Sequence, residues 1–232
     1  MPKLLAFDTS TEHLSIAVLN GDRLIEHGGA GGAQSSTTLL PLVLQLLAEA
    51  GLALAELDAI AFGRGPGSFT GLRTACAVAQ GLGFGANVPL LPVDTLQAVA
   101  EEAHHRFGAT RVVAVLDARM EQVYAASYRF DGVAVDSEPQ LLAPESLAVP
   151  EGFALAGNAF LAYPERLPAA TARHTVLPTA AAMLRLAPAL LAAGRAVTAA
   201  DALPLYVRDK VAQTTEERAA LKAGTAIATS LR

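Results

Sequence analysis

Asn20-Gly21 separates two apolar runs, Ser15-Ile16-Ala17-Val18-Leu19 and Arg23-Leu24-Ile25-Glu26-His27, and this dipeptide constrains the start of the fold more than any other feature. Both central positions of a type I′ turn need positive φ, which Asn and Gly adopt at low cost, so the spacing predicts a hairpin. Leu4 to Asp8 supplies a preceding apolar run, and the chain opens as strand, strand, strand. The five-residue stretch Gly28 to Gly32 then reads as a flexible connection. From Thr38 the pattern changes. A helix is expected over 38–50, a strand over 57–63, a helix over 70–83, a strand over 90–94 and a helix over 95–106, which makes the class α/β.

A similar order starts again at Arg111, where Val112-Val113-Ala114-Val115-Leu116-Asp117 repeats the apolar run ending in an aspartate seen at Leu4 to Asp8. Gln122 to Tyr128 is the next strand, with a turn at Phe130-Asp131-Gly132. No close sequence repeat accompanies the echo, so it speaks of architecture only. Residues 141–179 are proline-rich and irregular around one apolar segment, Phe153 to Asn158. Thr179 to Ala193 reads as an Ala/Leu helix that Pro188 should kink or interrupt. We place an N-terminal lobe at 1–100, a C-terminal lobe at 101–200, and a C-terminal segment at 201–232 that returns to the first lobe and is only partly ordered at its end.

Composition narrows the function. No apolar stretch approaches the roughly 18 to 20 residues of a membrane span, and Asp8 falls too early for the apolar region of a secretory signal. A soluble, cytoplasmic chain is expected. The single cysteine, Cys76, lies in an alanine-rich run and reads as a small buried residue. A net charge of −5 without a dense Lys/Arg block is a poor footprint for gripping RNA alone. The abundance of alanine is taken as genomic bias.

The chemical candidates are few. Asp8, Ser10 and Thr11, at the turn after the first strand, offer a carboxylate and hydroxyls to a phosphate or metal, or serve as turn-forming residues. The loop containing Gly65, Gly67, Ser68, Thr70 and Gly71 places backbone N–H groups at a helix start, where it either holds an anion or positions two helices. It lacks Gly-Lys-Ser/Thr and is no P-loop. The five histidines include no pair sharing a helical face, His104 and His105 being solvated residues at a helix end. No catalytic constellation and no metal site emerges. The first helix carries more leucine than one apolar stripe accommodates, so it is either sandwiched within its domain or half of a protein interface.

Taken in order, Asp8-Thr9-Ser10-Thr11, the helix start from Ser35 to Leu42, Gly65-Pro66-Gly67-Ser68-Phe69-Thr70-Gly71-Leu72-Arg73 and Pro204-Leu205-Tyr206-Val207-Arg208 resemble the TsaB (YeaZ) family over nearly the whole chain. The resemblance implies an actin/hexokinase-like fold of two related α/β lobes. It implies a non-catalytic part in forming threonylcarbamoyladenosine next to the anticodon of tRNAs that read codons beginning with A. The implied partners are the catalytic paralogue TsaD and the ATPase TsaE, with tRNA met only through the assembly; because exposed apolar helices tend to find one another, a homodimer is expected when TsaD is absent. No cofactor of its own is implied, with ATP or ADP at the assembly interface.

The same resemblance points to Leu39, Leu40, Val43, Leu44, Leu47, Leu72, Ala75 and Ala79 as the partner interface. TsaD holds its metal with two histidines four residues apart just after a strand. Aligning Val93 to Val99 with that segment puts Thr95 and Val99 at those positions, and neither can replace imidazole. Family members often carry a histidine where Ser35 aligns. Whether Arg73, Arg208 or Lys210 meets RNA is left open.

Overall fold

The computed structural model describes residues 1–130 and 137–208. The end of the expected turn at 130–132, the segment 209–232 and Lys210 lie outside the described residues. Two five-stranded sheets form the frame. In the first, β1 (Lys3–Asp8), β2 (His13–Asn20), β3 (Arg23–Ala30), β4 (Ala59–Gly65) and β5 (Leu90–Asp94) lie in the order β3-β2-β1-β4-β5. In the second, β6 (Arg111–Asp117), β7 (Val123–Arg129), β8 (Gln140–Leu142), β9 (Ala154–Gly157) and β10 (Arg173–Thr175) lie in the order β10-β9-β6-β7-β8. In both, three strands form an antiparallel meander and the other two join in parallel beside the first. The echo of Asp8 in Asp117 is therefore a true topological equivalence, and the fold is actin/hexokinase-like.

The hairpin forms one residue later than the Asn-Gly rule places it. Asn20 pairs with Arg23, so Gly21 and Asp22 make the loop, and of these only Gly21 has positive φ, at 62°. The glycine run is also not a linker. Gly28, Gly29 and Ala30 continue β3 opposite Ser15, Leu14 and His13, and a Cβ at Gly28 would stand 2.9 Å from the His13 ring.

Five helices cover the sheets: α1 (Ser35–Ala50), α2 (Phe69–Ala86), α3 (Thr95–Phe107), the short α4 (Ala159–Ala162) and α5 (Ala180–Ala192). Strand alternation sorts the first sheet by size. Leu5, Phe7, Ile16, Val18, Ile60 and Phe62 point to the side of α1 and α2. Ala6, Ala17, Ala59 and Ala61 point to the other side, where α5 presents Ala180, Ala182, Met183 and Ala187. Alanine on both surfaces lets helix and sheet approach closely, so much of the alanine content has a packing role that composition alone conceals. The helix runs through Pro188 without interruption.

That placement revises the lobe boundaries drawn from sequence. Helix α5 follows every strand of the second sheet yet belongs to the first, so the return begins near residue 180 rather than 201. Helix α3 is shared: Leu96, Val99, Ala100 and Ala103 pack on the second sheet while Ala98 joins the layer under the first. Polar contacts lock α5 to α3. Arg185 meets Glu101 at 2.9 Å and Glu102 at 2.7 Å, and the helix-capping Thr179 donates to Glu102 at 2.8 Å while accepting from the Ala182 amide. Among the described residues no helix is long and apolar enough to cross a membrane.

Because Met183 is wholly buried beneath the first sheet, Met183→Ala is expected to cost about 2–5 kcal/mol in urea unfolding. Loss confined to the second sheet would contradict this account of α5.

Candidate functional site

The turn after β1 folds onto itself and onto the start of α2. One carboxylate oxygen of Asp8 accepts from the Ser10 amide at 3.0 Å and from the Ser10 hydroxyl at 2.8 Å. Thr9 donates its hydroxyl to the Gly71 carbonyl at 2.7 Å. The Ser10 carbonyl in turn accepts from the Ser68 amide at 2.7 Å. The glycines explain themselves here. A Cβ at Gly71 would collide with the Thr9 carbonyl, and one at Gly67 would stand 2.6 Å from the Ser10 carbonyl oxygen. Gly65 has φ +122° and lies under the Leu205 carbonyl, while Ser68 and Thr70 flank the exposed first turn of α2. Gly65, Gly67 and Gly71 thus serve close backbone approach.

Asp8, Ser10 and Thr11, the expected phosphate-facing residues, hold the turn together, and Ser10 and Thr11 also border a cleft. All three are buried, and the hydroxyls of Thr9 and Ser10 are spent inside the chain. Asp8 is the extreme case, with no exposure and its second carboxylate oxygen, Oδ2, without a hydrogen-bond partner among the described residues. That oxygen occupies the space a side chain at Gly63 would need. Burial is the main cause that pushes the Asp8 carboxyl up to about 7, against the lowering effect of the two Ser10 hydrogen bonds.

A cleft of about 400 Å³ lies between the lobes, beside this turn. Ser10, Thr11 and Glu12 border it from the first lobe, Asp117 and Asn158 from the second. Asn158 accepts from the Asp117 amide at 2.9 Å and reaches Glu12 at 3.4 Å. Asp117 accepts from the Tyr163 hydroxyl at 3.1 Å and pairs with Arg119 at 3.1 Å. Glu12, Asn158, Arg119 and Tyr163 were not singled out from sequence. Of these only Asn158 carries a local signal, as the polar residue closing the apolar run of β9.

The expected interface residues divide into two sets. Leu39, Val43, Leu47, Ala75 and Ala79 are buried in the core between the first sheet and helices α1 and α2, Leu72 is buried as well, and none of the six is a surface residue. Leu40 and Leu44 are 42% and 51% exposed. A helix advances by about 100° per residue, which sets Leu40 and Leu44, four apart, on the outer face. The outer stripe of α2 is Arg73, Ala77, Gly81 and Gly85, all exposed, next to Phe84, which is 86% exposed.

Thr95 and Val99 are fully buried, Thr95 donating its hydroxyl to the Pro66 carbonyl. Ser35 is buried, and its hydroxyl has no partner among the described residues. No group of three or more potential metal ligands occurs among the described residues. His104, expected in solvent, stacks on Phe130 at 4.3 Å and contacts the Ala109 carbonyl.

The profile of TsaD, tRNA N6-adenosine threonylcarbamoyltransferase, matches residues 31–232. The tRNA threonylcarbamoyladenosine biosynthesis protein TsaB of Escherichia coli is 35% identical over 222 residues, covering 90% of this chain and 96% of that protein. TsaB of Haemophilus influenzae is 35% identical over 223 residues, covering 90% and 94%. This chain belongs to the TsaB (YeaZ) family. The solved structure of YeaZ from Pseudomonas aeruginosa agrees, with a TM-score of 0.83, 42% identity, and coverage of 89% of this chain and 100% of that one.

Two consequences can be measured. The folded Asp8 keeps its proton up to about pH 7, whereas the unfolded one loses it near 3.8. Its contribution is therefore present at low pH and lost as pH rises to about 7, a change of roughly 4 kcal/mol. In urea titrations from pH 5 to 8, wild type should lose stability relative to Asp8→Asn, and a pH-independent difference would refute the assignment. Gly71→Ala should destabilise by about 1–3 kcal/mol through its clash with Thr9, seen as a lowered thermal midpoint.

Proposed function

We propose that this chain is the non-catalytic subunit that supports TsaD in forming threonylcarbamoyladenosine next to the anticodon of tRNAs that read codons beginning with A. The family supports the pathway, since curated relatives named for that biosynthesis align over 90% of the chain. The outer face of α1 and α2 carries the docking role. Gly81 and Gly85 have nothing within 4 Å of where a Cβ would stand. A glycine inside a helix costs about 1 kcal/mol relative to alanine, and nothing among the described residues requires either one. With Ala77 they leave an exposed stripe of α2 without bulky side chains, next to exposed Phe84, a surface suited to a partner helix at close range.

TsaD is the partner assigned to this face, with TsaE joining the pair and tRNA contacted through the assembly. Without TsaD the same face supports a homodimer, and the working compartment is the cytoplasm. ATP or ADP, where needed, belongs at the assembly interface. The buried Thr95 and Val99 favour a non-catalytic role, because these positions hold no imidazole and are enclosed in packing. An independent phosphotransferase is disfavoured by the inward-turned hydroxyls of Thr9 and Ser10.

Leu40→Asp with Leu44→Asp should weaken TsaD binding by about thirtyfold or more and reduce tRNA modification in a reconstituted reaction, leaving cooperative unfolding intact. Undiminished TsaD affinity in the folded variant would remove this face from the proposal. Val43→Asp is not a fair probe, since it places a charge in the core.

A further inference from the structure

We propose that residues 204–208 are a strap that holds the two lobes at one fixed opening, with Arg208 as its latch. The strap begins on the first lobe, where the Leu205 amide donates to the Arg64 carbonyl at 2.7 Å at the end of β4. Gly65 makes this passage possible, since a Cβ there would stand 2.6 Å from the Leu205 carbonyl oxygen and 2.9 Å from the Leu72 side chain. Tyr206 next fastens to α2. Its hydroxyl accepts from Arg73 Nε at 3.0 Å, its ring lies 5.5 Å from Phe69, and the Arg73 guanidinium sits 4.0 Å over that same Phe69 ring.

The next two residues cross to the second lobe. Val207 packs against the core between α3 and the second sheet. Arg208 donates to the Ala118 carbonyl at 2.9 Å and reaches the sulfur of Met120 at 2.9 Å and the Arg119 carbonyl at 3.5 Å. The element it grips is unusual. Arg119, Met120 and Glu121 have φ of 61°, 52° and 59°, three successive non-glycine residues in the left-handed region. Each carries a steric cost that persists only where surrounding contacts impose it. The Asp117 carboxylate holds the turn from inside through the Arg119 amide at 2.8 Å, and Arg208 holds it from outside.

Leu205 to Arg208 also border the interlobe cleft. Two-lobed folds commonly adjust their opening by hinge motion around a ligand. A covalent segment anchored on both sides of the mouth makes the opening a property of the chain instead. The inference does not rest on the identity of the partner.

Two cuts, one at each end, test it on the full-length chain. Arg208→Ala releases the second lobe, and Leu205→Pro removes the amide that anchors the first. Spin labels at Thr37→Cys and Leu161→Cys, in a Cys76→Ala background diluted with unlabelled protein, report the distance between lobes. Unmodified at the strap, the chain should give one narrow distribution. Both cuts should broaden it and lengthen its mean by several ångström, and amide exchange at Gln122, which donates to Arg119, should quicken about tenfold or more in Arg208→Ala. If either folded variant keeps the narrow distribution, the strap is overturned. Faster exchange at the turn without a change in distance overturns it equally, because Arg208 would then support only the turn.

Discussion

The contact on which the rest of the molecule depends is backbone against backbone, where the turn after β1 meets the first turn of α2. Thr9 donates into the Gly71 carbonyl, and Ser68 donates into the Ser10 carbonyl. Neither bond can form unless Gly67 and Gly71 lack side chains. This contact fixes where α2 starts, and thereby which of its residues point into the sheet and which point out. It also forms one wall of the cleft. The N-terminus of α2 would otherwise be an anion site, with free N–H groups and a favourable dipole. Here the chain's own carbonyl occupies part of that site, so local electrostatics are directed to holding the fold.

A second constraint is the difference in size between the two faces of the first sheet. Phe7, Ile16, Ile60 and Phe62 fill the space under α1 and α2, whereas Ala6, Ala17, Ala59 and Ala61 leave room for little but a close, alanine-rich helix. Helix α5 satisfies that demand although it comes after the second sheet in sequence. The chain is thereby stitched. The first lobe is not complete until α5 has docked, and α3 is held between the two lobes by its charge pairs with Arg185.

Much of this was legible in the residues. The meander, the alternation of strands and helices after Leu57, and the aspartate ending each leading strand follow from period and turn chemistry. The outer surface of α1 was harder. Leu39, Val43, Leu46 and Leu47 on one side and Leu40 and Leu44 on the other make two adjoining apolar stripes, and helical periodicity defines both without saying which one the sheet covers. The fate of α5 was not legible, because closeness of approach depends on which alanines of distant strands share a face. Asn158 and Tyr163 come to Asp117 from the two ends of α4, some forty residues on, and the left-handed run through Arg119 contains no glycine or asparagine to announce it.

The two aspartates show why an architecture can be doubled while a site is not. Asp8 and Asp117 close equivalent strands of equivalent sheets, yet their surroundings drive them apart chemically. Asp8 is sealed beside Gly63 with one oxygen unpartnered among the described residues, and burial favours its protonated form. Asp117 borders the cleft and is met by Arg119 and Tyr163. A phosphoryl-transfer site of this topology would need charged and hydroxyl groups turned toward the cleft from both lobes at once. In the first lobe Asp8 is sealed and the hydroxyls of Thr9 and Ser10 are bonded within the chain, holding the start of α2. The turn that binds its own hydroxyls and the fixed orientation of α2 are thus two results of one local packing choice.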